Sequence, residues 1–382
     1  MRLEVAELYR LDLTFRRPVV TASGTHQRRP VLFVRIVTDV AEGWGECGAL
    51  ENGTAVDPRV STVRRRLEEG GLARLVTATR ARGGELPGGA QIAALYGSAP
   101  ADRLCAAVIE MAVLDAELRA SGEPLWSRLG ARASRAGTGA SAGELVGIPP
   151  SRQIGTLVES ACAAAERGAA RVRLKIEPGW DLEPLKAVRA ALPDTALQAD
   201  ANGSYRLGSE SADTARLLRR LDPLGLVCVE QPLPPSDLTS LALLAGHLET
   251  PVCLDESLAS LPRLVDALRY HACEVACLKP ARLGGLLAAR RAVMLCADAG
   301  VPTFVGGFFE TGFGRAALAA LACIDGFTLP GDLSSPAGYL EDDPFAYPDV
   351  TAGKVRPWAV PGVAPHLADR LPGTLLARVA AV

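Results

Sequence analysis

From about residue 138 to residue 332 the chain repeats one pattern eight times: a short apolar run, then a stretch with Ala, Leu and Arg at amphipathic spacing. The runs are "GTGASAG", "ARVRLK", "ALQAD", "LVCVE", "PVCLD", "EVACLK", "PTFVGG" and "FTLPGD". Short apolar runs alternating with helical segments read as parallel strands in an α/β fold. Eight such units are what closing a (β/α)8-type barrel, a modified TIM barrel, requires, whereas an open doubly wound sheet seldom needs so many. No dinucleotide-binding glycine fingerprint and no phosphate-loop lysine follows any run; "LGARASRAG" has scattered glycines only.

The flanks read differently. The first forty-odd residues alternate apolar and polar ("VLFVRIVTD"), with a glycine-punctuated turn expected at "AEGWGE", so this end predicts an antiparallel sheet. "ADRLCAAVIEMAVLDAELRASG" predicts a helix that stops at Gly122, and "TVRRRLEEGGLARL" a weaker one before it. The expected organisation is an α+β capping unit over 1–125, a barrel over 126–339, and a Pro-, Asp- and Gly-rich segment over 340–382 that returns to the first unit.

The balance of 41 basic to 43 acidic residues, a net charge of −2, offers no global attraction for nucleic acid or an anionic membrane, so a small molecule is the expected partner. Nine cysteines, with Cys228, Cys253 and Cys277 inside apolar runs, suit a reducing cytoplasm better than a disulfide framework. "MRLEVAELYRLDLTF" lacks the apolar block of a secretory signal, and no stretch approaches eighteen uninterrupted apolar residues, so neither secretion nor membrane insertion is expected.

Five consecutive runs end in ionisable residues: Lys175, Asp200, Glu230, Asp255 and Lys279, spaced by 25, 30, 25 and 24 residues, one strand and helix each time. Strands often end in polar residues for solvation alone, but the C-terminal ends of barrel strands form one rim, and five in succession predict one pocket. Three carboxylates together repel unless neutralised, and an all-oxygen donor set suits Mg2+, or Mn2+ or another divalent ion, better than Zn2+. Asp200, Glu230 and Asp255 are therefore the expected metal ligands, with an amine from Lys175 on one side of a metal-bound substrate and Lys279 on the other. That arrangement suits proton transfer at carbon next to a carboxylate. Arg173, two residues before Lys175 on the same strand face, is read as a positive neighbour that lowers the lysine pKa toward that of a base. The alternative is an arginine of the barrel wall paired with an acid.

At this point the residues resemble a known family. "MAVLDAELRA" (111–120), "LKIEPGWD" (174–181), "DAN" (200–202), "VEQPL" (229–233), "CLDES" (253–257), "LKPARLGG" (278–285), "GGFFETGFGRAA" (306–317) and "FTLPGD" (327–332) resemble the enolase superfamily in its muconate lactonizing enzyme subgroup. The nearest likeness is to the o-succinylbenzoate synthase and N-succinylamino acid (N-acylamino acid) racemase family. The resemblance implies a barrel with an α+β capping domain built from both termini, Mg2+ on Asp200, Glu230 and Asp255, and Lys175 and Lys279 as acid/base groups on opposite faces. Its implied substrate is a small carboxylate, racemised as an N-acylamino acid or dehydrated to o-succinylbenzoate. A dipeptide epimerase and an inactive binding paralogue are weaker readings, since "PGDLSSP" offers only Asp332 where epimerases carry two spaced aspartates. Barrels of this type often assemble, so a homo-oligomer is expected. None of His26, His247, His271 and His366 ends a predicted strand, which argues against a subgroup whose base is a His–Asp pair.

The sequence departs from the family at Arg173, which stands for a lysine, at Val19 and Ser23 in the capping loop "RRPVVTASGTHQ", where Phe is expected, and at "LENGTAVDP", which lacks a Tyr. Further candidates around the site carry two readings each. Ser141 is a substrate hydrogen bond or a turn serine. Arg282 meets an anionic acyl group or forms a surface salt bridge. Glu310 supports the rim or interacts with Lys279; Asn202 supports the metal shell or its own turn; Glu256 adds charge near the metal or faces solvent.

Overall fold

A computed structural model of the chain describes residues 1–206, 211–365, 371 and 373–381; His366 lies outside them. Strands β1 (Leu3–Thr21), β2 (Gly24–Thr38) and β3 (Glu42–Glu46) form an antiparallel sheet, with β1 and β2 joined by a tight turn at Ala22 and Ser23. The Pro100–Ser121 helix begins with proline in its first turn and ends at Gly122, whose φ of 73° suits a left-handed cap. The glycines of "AEGWGE" are not a turn. They lie in β3, where a Cβ on Gly43 or Gly45 would stand 2.1 Å from Ala112 O or 2.0 Å from Val108 O, so the strand rests directly on the helix backbone. "TVRRRLEEGGLARL" becomes the helices Val60–Arg66 and Leu72–Arg80, joined by a π turn over Leu67–Gly71.

Eight parallel strands follow: β4 (Ala140–Val146), β5 (Arg171–Lys175), β6 (Leu197–Asp200), β7 (Val229–Glu230), β8 (Val252–Leu254), β9 (Val275–Leu278), β10 (Thr303–Val305) and β11 (Gly331–Asp332). Neighbours in sequence pair in space from β4 to β10, and β11 pairs with β4. The ring closes where Thr303 of β10 bridges Phe327 and its carbonyl accepts the N–H of Leu329, just before β11. Helices follow the first seven strands. The eighth is followed, among the described residues, by a 3-10 turn at Pro336–Gly338 instead of a helix. The sequence "SSPAGYLEDDPFAYPD" explains this, because its prolines break backbone hydrogen bonding.

The segment from 340 divides. The hairpin of β12 (Val350–Thr351) and β13 (Lys354–Val355) lies on the barrel, with β13 antiparallel to the start of β4. Strand β14 (Thr374–Ala380) pairs with β1 in the capping sheet. No helix among the described residues is long and apolar enough to cross a membrane.

Two buried carboxylates lock cap to barrel. Glu110 of the Pro100–Ser121 helix accepts the N–H of Leu286 at the start of the Leu286–Asp298 helix. Glu46 of β3 accepts from Thr311 N (3.0 Å), Thr311 Oγ1 (2.6 Å) and Gly314 N (2.8 Å) at the start of the Gly312–Leu321 helix. Both do what a capping residue does, but from another domain. Burial pushes Glu110 up to about 8 and Glu46 up to about 7, outweighing the N–H donors and, for Glu46, the charge of Arg29. A carboxyl raised in the folded state keeps a proton that the unfolded chain releases, so its stabilisation is full below 4.5 and is lost as pH climbs through 7 to 8. The expected result is a melting temperature that declines across that interval, and a flatter decline in Glu110→Gln. Each kcal/mol should move the midpoint by roughly 2–4 °C. A Glu110→Gln curve parallel to wild type would discard the assignment.

Candidate active site

Strand register builds the pocket. Lys175 pairs with Asp200 across β5 and β6, and Asp200 with Glu230 across β6 and β7, so these three side chains stand at one height. Glu230 pairs with Cys253, which leaves Asp255 two residues further along at the end of β8. Lys279 follows β9 directly. Strands β5 and β9 are four apart in a ring of eight, so the two lysines approach from opposite sides of the barrel. Lys175, Asp200, Glu230 and Asp255 are buried, and Lys279 is nearly so, its side chain 10% exposed.

Each lysine holds the carboxylate beside it: Lys175 Nζ donates to Asp200 Oδ2 at 2.5 Å, and Lys279 Nζ to Asp255 Oδ2 at 2.8 Å. Glu230, between them, accepts two 2.9 Å bonds from Arg173 and one from Gln198. Burial pushes Glu230 up to about 8 in spite of Arg173, helped by repulsion from Asp200 and Asp255. Asp255 sits below the carboxylate range because Arg282 and Lys279 outweigh its burial. Burial works against the Lys279 ammonium, but Asp255 wins and holds it above its ordinary value.

The donors fit a hard divalent cation. Glu230 and Asp255 offer carboxylate oxygens within 4.8 Å of each other, and Cys277 Sγ lies as near. Asp200 stands outside that trio, turned toward Lys175. Cys277 is a neighbour more than a ligand, since burial raises its thiol well above its ordinary value and Mg2+ prefers oxygen. A further buried carboxylate, Glu256, has Oε2 without a hydrogen-bond partner, and burial with the charges of Asp255 and Asp200 pushes it up to about 7. So much acid in one buried place is short of positive charge.

The remaining sequence candidates divide. Asn202, at a φ of 44°, bridges Lys175 Nζ (2.8 Å) to Glu256 (3.0 Å), so both residues join the site. Glu310 does not reach Lys279: it accepts its own loop's Phe308 N at 2.6 Å and lies 3.3 Å from Arg315. Val19 is close to the rim; its Cγ1 would be 3.6 Å from a Cβ on Gly147, just past β4, and Val20 O accepts Ile148 N. Ser23 is exposed in the hairpin turn.

Two expectations are corrected. Ser141 is at the N-terminal end of β4, paired with Lys354 of β13, at the barrel end opposite the lysines. Arg282 forms neither a surface salt bridge nor a free anion contact. It is buried, with Nε and Nη2 on Asp57 (2.9 and 2.7 Å) and Nη1 on Asp255 Oδ1 (2.5 Å). Arg173 is paired as the wall-arginine alternative has it: besides Glu230 it holds Asp332 Oδ2 at 2.6 Å.

Sequence reading missed several neighbours. Asp57 reaches Arg282 from the cap, 225 residues away in the chain. Arg171, fully buried, lies below Arg173 on the same face of β5 and holds Asp332 Oδ1 at 2.7 Å. His26 of β2 is buried, and that burial, then the charges of Lys175 and Arg29, keeps it below its ordinary value. Composition carries a further signal: 37 of the 41 basic side chains are arginine, and of the four lysines (Lys175, Lys186, Lys279, Lys354) two end barrel strands. Arginine keeps its proton at any working pH, so a chain that uses it nearly everywhere marks the places where an amine must release one.

Comparison with known proteins adds independent findings. The mandelate racemase / muconate lactonizing enzyme N-terminal domain model matches residues 5–130, and the enolase C-terminal domain-like model matches residues 156–368. An N-succinylamino acid racemase of Amycolatopsis sp is 39% identical over 349 residues, 90% of this chain and 89% of that one. An o-succinylbenzoate synthase of Geobacillus kaustophilus is 33% identical over 366 residues, 95% of this chain and 93% of that one. The solved structure of a probable mandelate racemase from Alicyclobacillus acidocaldarius has a TM-score of 0.84 at 33% identity and covers 99% of both chains.

Proposed function

This chain belongs to the mandelate racemase / muconate lactonizing enzyme family of the enolase superfamily, and on that premise we propose that it racemises N-acylamino acids, N-succinylamino acids foremost. The reaction removes the proton α to a carboxylate and returns one to the opposite face of the resulting enediolate. The observation that carries the reading is the pair of lysines on strands four apart in the ring, flanking three buried carboxylates.

Members of the superfamily depend on a divalent metal, and Asp200, Glu230 and Asp255 are the residues that would hold it here. Bound there, Mg2+ or Mn2+ would supply positive charge where the substrate carboxylate gains negative charge. Lys175 and Lys279 divide the proton work by face. For one enantiomer Lys175 accepts the α proton while Lys279, charged at rest beside Asp255, supplies the proton on the other face. For the mirror image the roles reverse. Asn202 and Asp200 hold the Lys175 amine in place.

Relatives of both activities support a second reading, o-succinylbenzoate synthesis, in which the same proton removal is followed by loss of a β-hydroxyl as water. An epimerase of dipeptides is less well supported. Asp332, the one aspartate of "PGDLSSP", has its two oxygens on Arg171 and Arg173, whose charges already match its own. Intact lysines and carboxylates speak against an inactive binding protein.

Proton NMR in D2O, with Mg2+ and a panel of N-acylamino acids of both hands, tests the choice. Loss of the α-proton signal from both hands, with interconversion, is the expected result. Dehydration of a β-hydroxy acid without racemisation would favour the second reading, and no washout from any substrate would discard both.

A further inference from the structure

The Lys279 amine faces an aromatic ring: Nζ is 4.6 Å from the centroid of Phe308. The same ring lies 5.2 Å from the guanidinium carbon of Arg282, which is itself fixed on Asp57 and Asp255. We propose that Phe308 is a positioning residue for Lys279, its ring fixing the height and direction at which the amine meets one face of the substrate. This rests on the reading of Lys279 as the proton-handling group of that face.

A lysine stem has four rotatable bonds, so a catalytic amine needs walls. Asp255 holds Nζ from one side. Gly306 lets the backbone of the β10 loop close on the stem, since a Cβ there would stand 3.0 Å from both Cγ and Cε of Lys279. The face of Phe308 closes a further side, with its negative quadrupole toward the ammonium.

The ring is itself tightly held. Phe308 is 3% exposed, and a Cβ on Gly48 of the cap would come within 3.1 Å of its Cδ2. Its N–H donates to Glu310 Oε1 at 2.6 Å. The next residue, Phe309, has a φ of 57°, the left-handed region that bulky side chains avoid. That turn is kept by Arg29 Nε, which donates to Phe309 O at 3.0 Å, and by Tyr339, whose hydroxyl donates to Glu310 O at 2.6 Å. The Phe309 ring packs edge-on against Phe15 of β1 at 5.2 Å. A strained residue persists only where its surroundings over-determine it, and this turn is braced from both domains. Arg29, Gly48 and Phe15 all belong to the cap, so docking of the cap sets the ring and the ring sets the amine.

With four lysines in the chain, a lysine-labelled Mg2+-loaded enzyme gives four side-chain signals, each assignable by a single Lys→Arg replacement. Shielding by the ring should move the Lys279 methylene protons next to the amine upfield of the other three sets. Phe308→Leu, which keeps bulk and removes the ring, should erase that displacement, and Phe308→Tyr should keep it. In D2O, Lys279→Ala identifies the hand whose washout needs Lys279. Phe308→Leu should slow that same hand by about tenfold, leave the other hand and KM unchanged within error, and recover with Tyr. A Lys279 signal that is not displaced in wild type, or is unmoved by Phe308→Leu, overturns the proposal; so does equal slowing of both hands. Wild type that exchanges no substrate defeats the reading of the function instead, and the lysine signals still decide where Phe308 holds the amine.

Discussion

Lys279→Ala stops interconversion of enantiomers but leaves proton washout from one hand, and Lys175→Ala leaves washout from the other. Each loss should be about 10²–10⁴-fold in rate, the range that a positioned acid or base contributes. The two variants should fold. With Lys279 gone, Asp255 still has Arg282 at 2.5 Å; with Lys175 gone, Asp200 keeps Asn202 N at 3.0 Å and Arg173 at 3.6 Å. Lost activity can therefore be separated from lost structure by a melting curve. The complementary pattern depends on the strand positions, since amines on neighbouring strands would serve the same face. Racemisation that survives in either variant would reject the two-amine assignment.

Arg173→Met should lower stability by about 3–5 kcal/mol, the cost of leaving buried charges without their partner, and the midpoint by roughly 5–15 °C. Among the described residues Arg173 is the one cation that touches both Glu230 and Asp332, at 2.9 and 2.6 Å. Without it Glu230 keeps only Gln198 and Lys175's more distant charge, while Asp332 keeps Arg171. Arg173→Lys should be milder, because a point charge can satisfy one of the two acids but not span both. Added Mg2+ should recover part of the loss in the Met variant by binding the unpaired carboxylates. A midpoint equal to wild type without metal would show that the column of Arg171, Arg173 and Lys175 is not held in place by its acids.

The barrel and its five polar strand ends were legible because parallel strands advertise themselves as short apolar runs, and a charge at the end of each stands out. The place of Ser141 is not legible because "GTGASAG" has no charged stop: the strand begins within that run and continues through "ELV". The fate of Arg282 was not legible at all. Nothing in "LKPARLGG" signals that Asp57, from a loop of the other domain, will claim two of its donors. Arg173 shows a third limit. That it shares a face with Lys175 follows from strand period, but which acids lie opposite depends on register with β7 and β11. The cap hairpin's His26 and the ring of Phe308 reach the pocket through domain docking, which one chain read in order does not reveal.

Strand β1 lies between β2 and β14, and β14 is drawn from residues 374–380. During synthesis the nineteen-residue β1 leaves the ribosome well before β14, so its outer hydrogen-bonding edge waits for a partner made much later. Until then the newborn polypeptide carries a long bare strand, the kind of surface that recruits other unfinished chains. Yield of the folded protein is therefore expected to depend on how quickly translation reaches β14 as well as on how stable the finished molecule is.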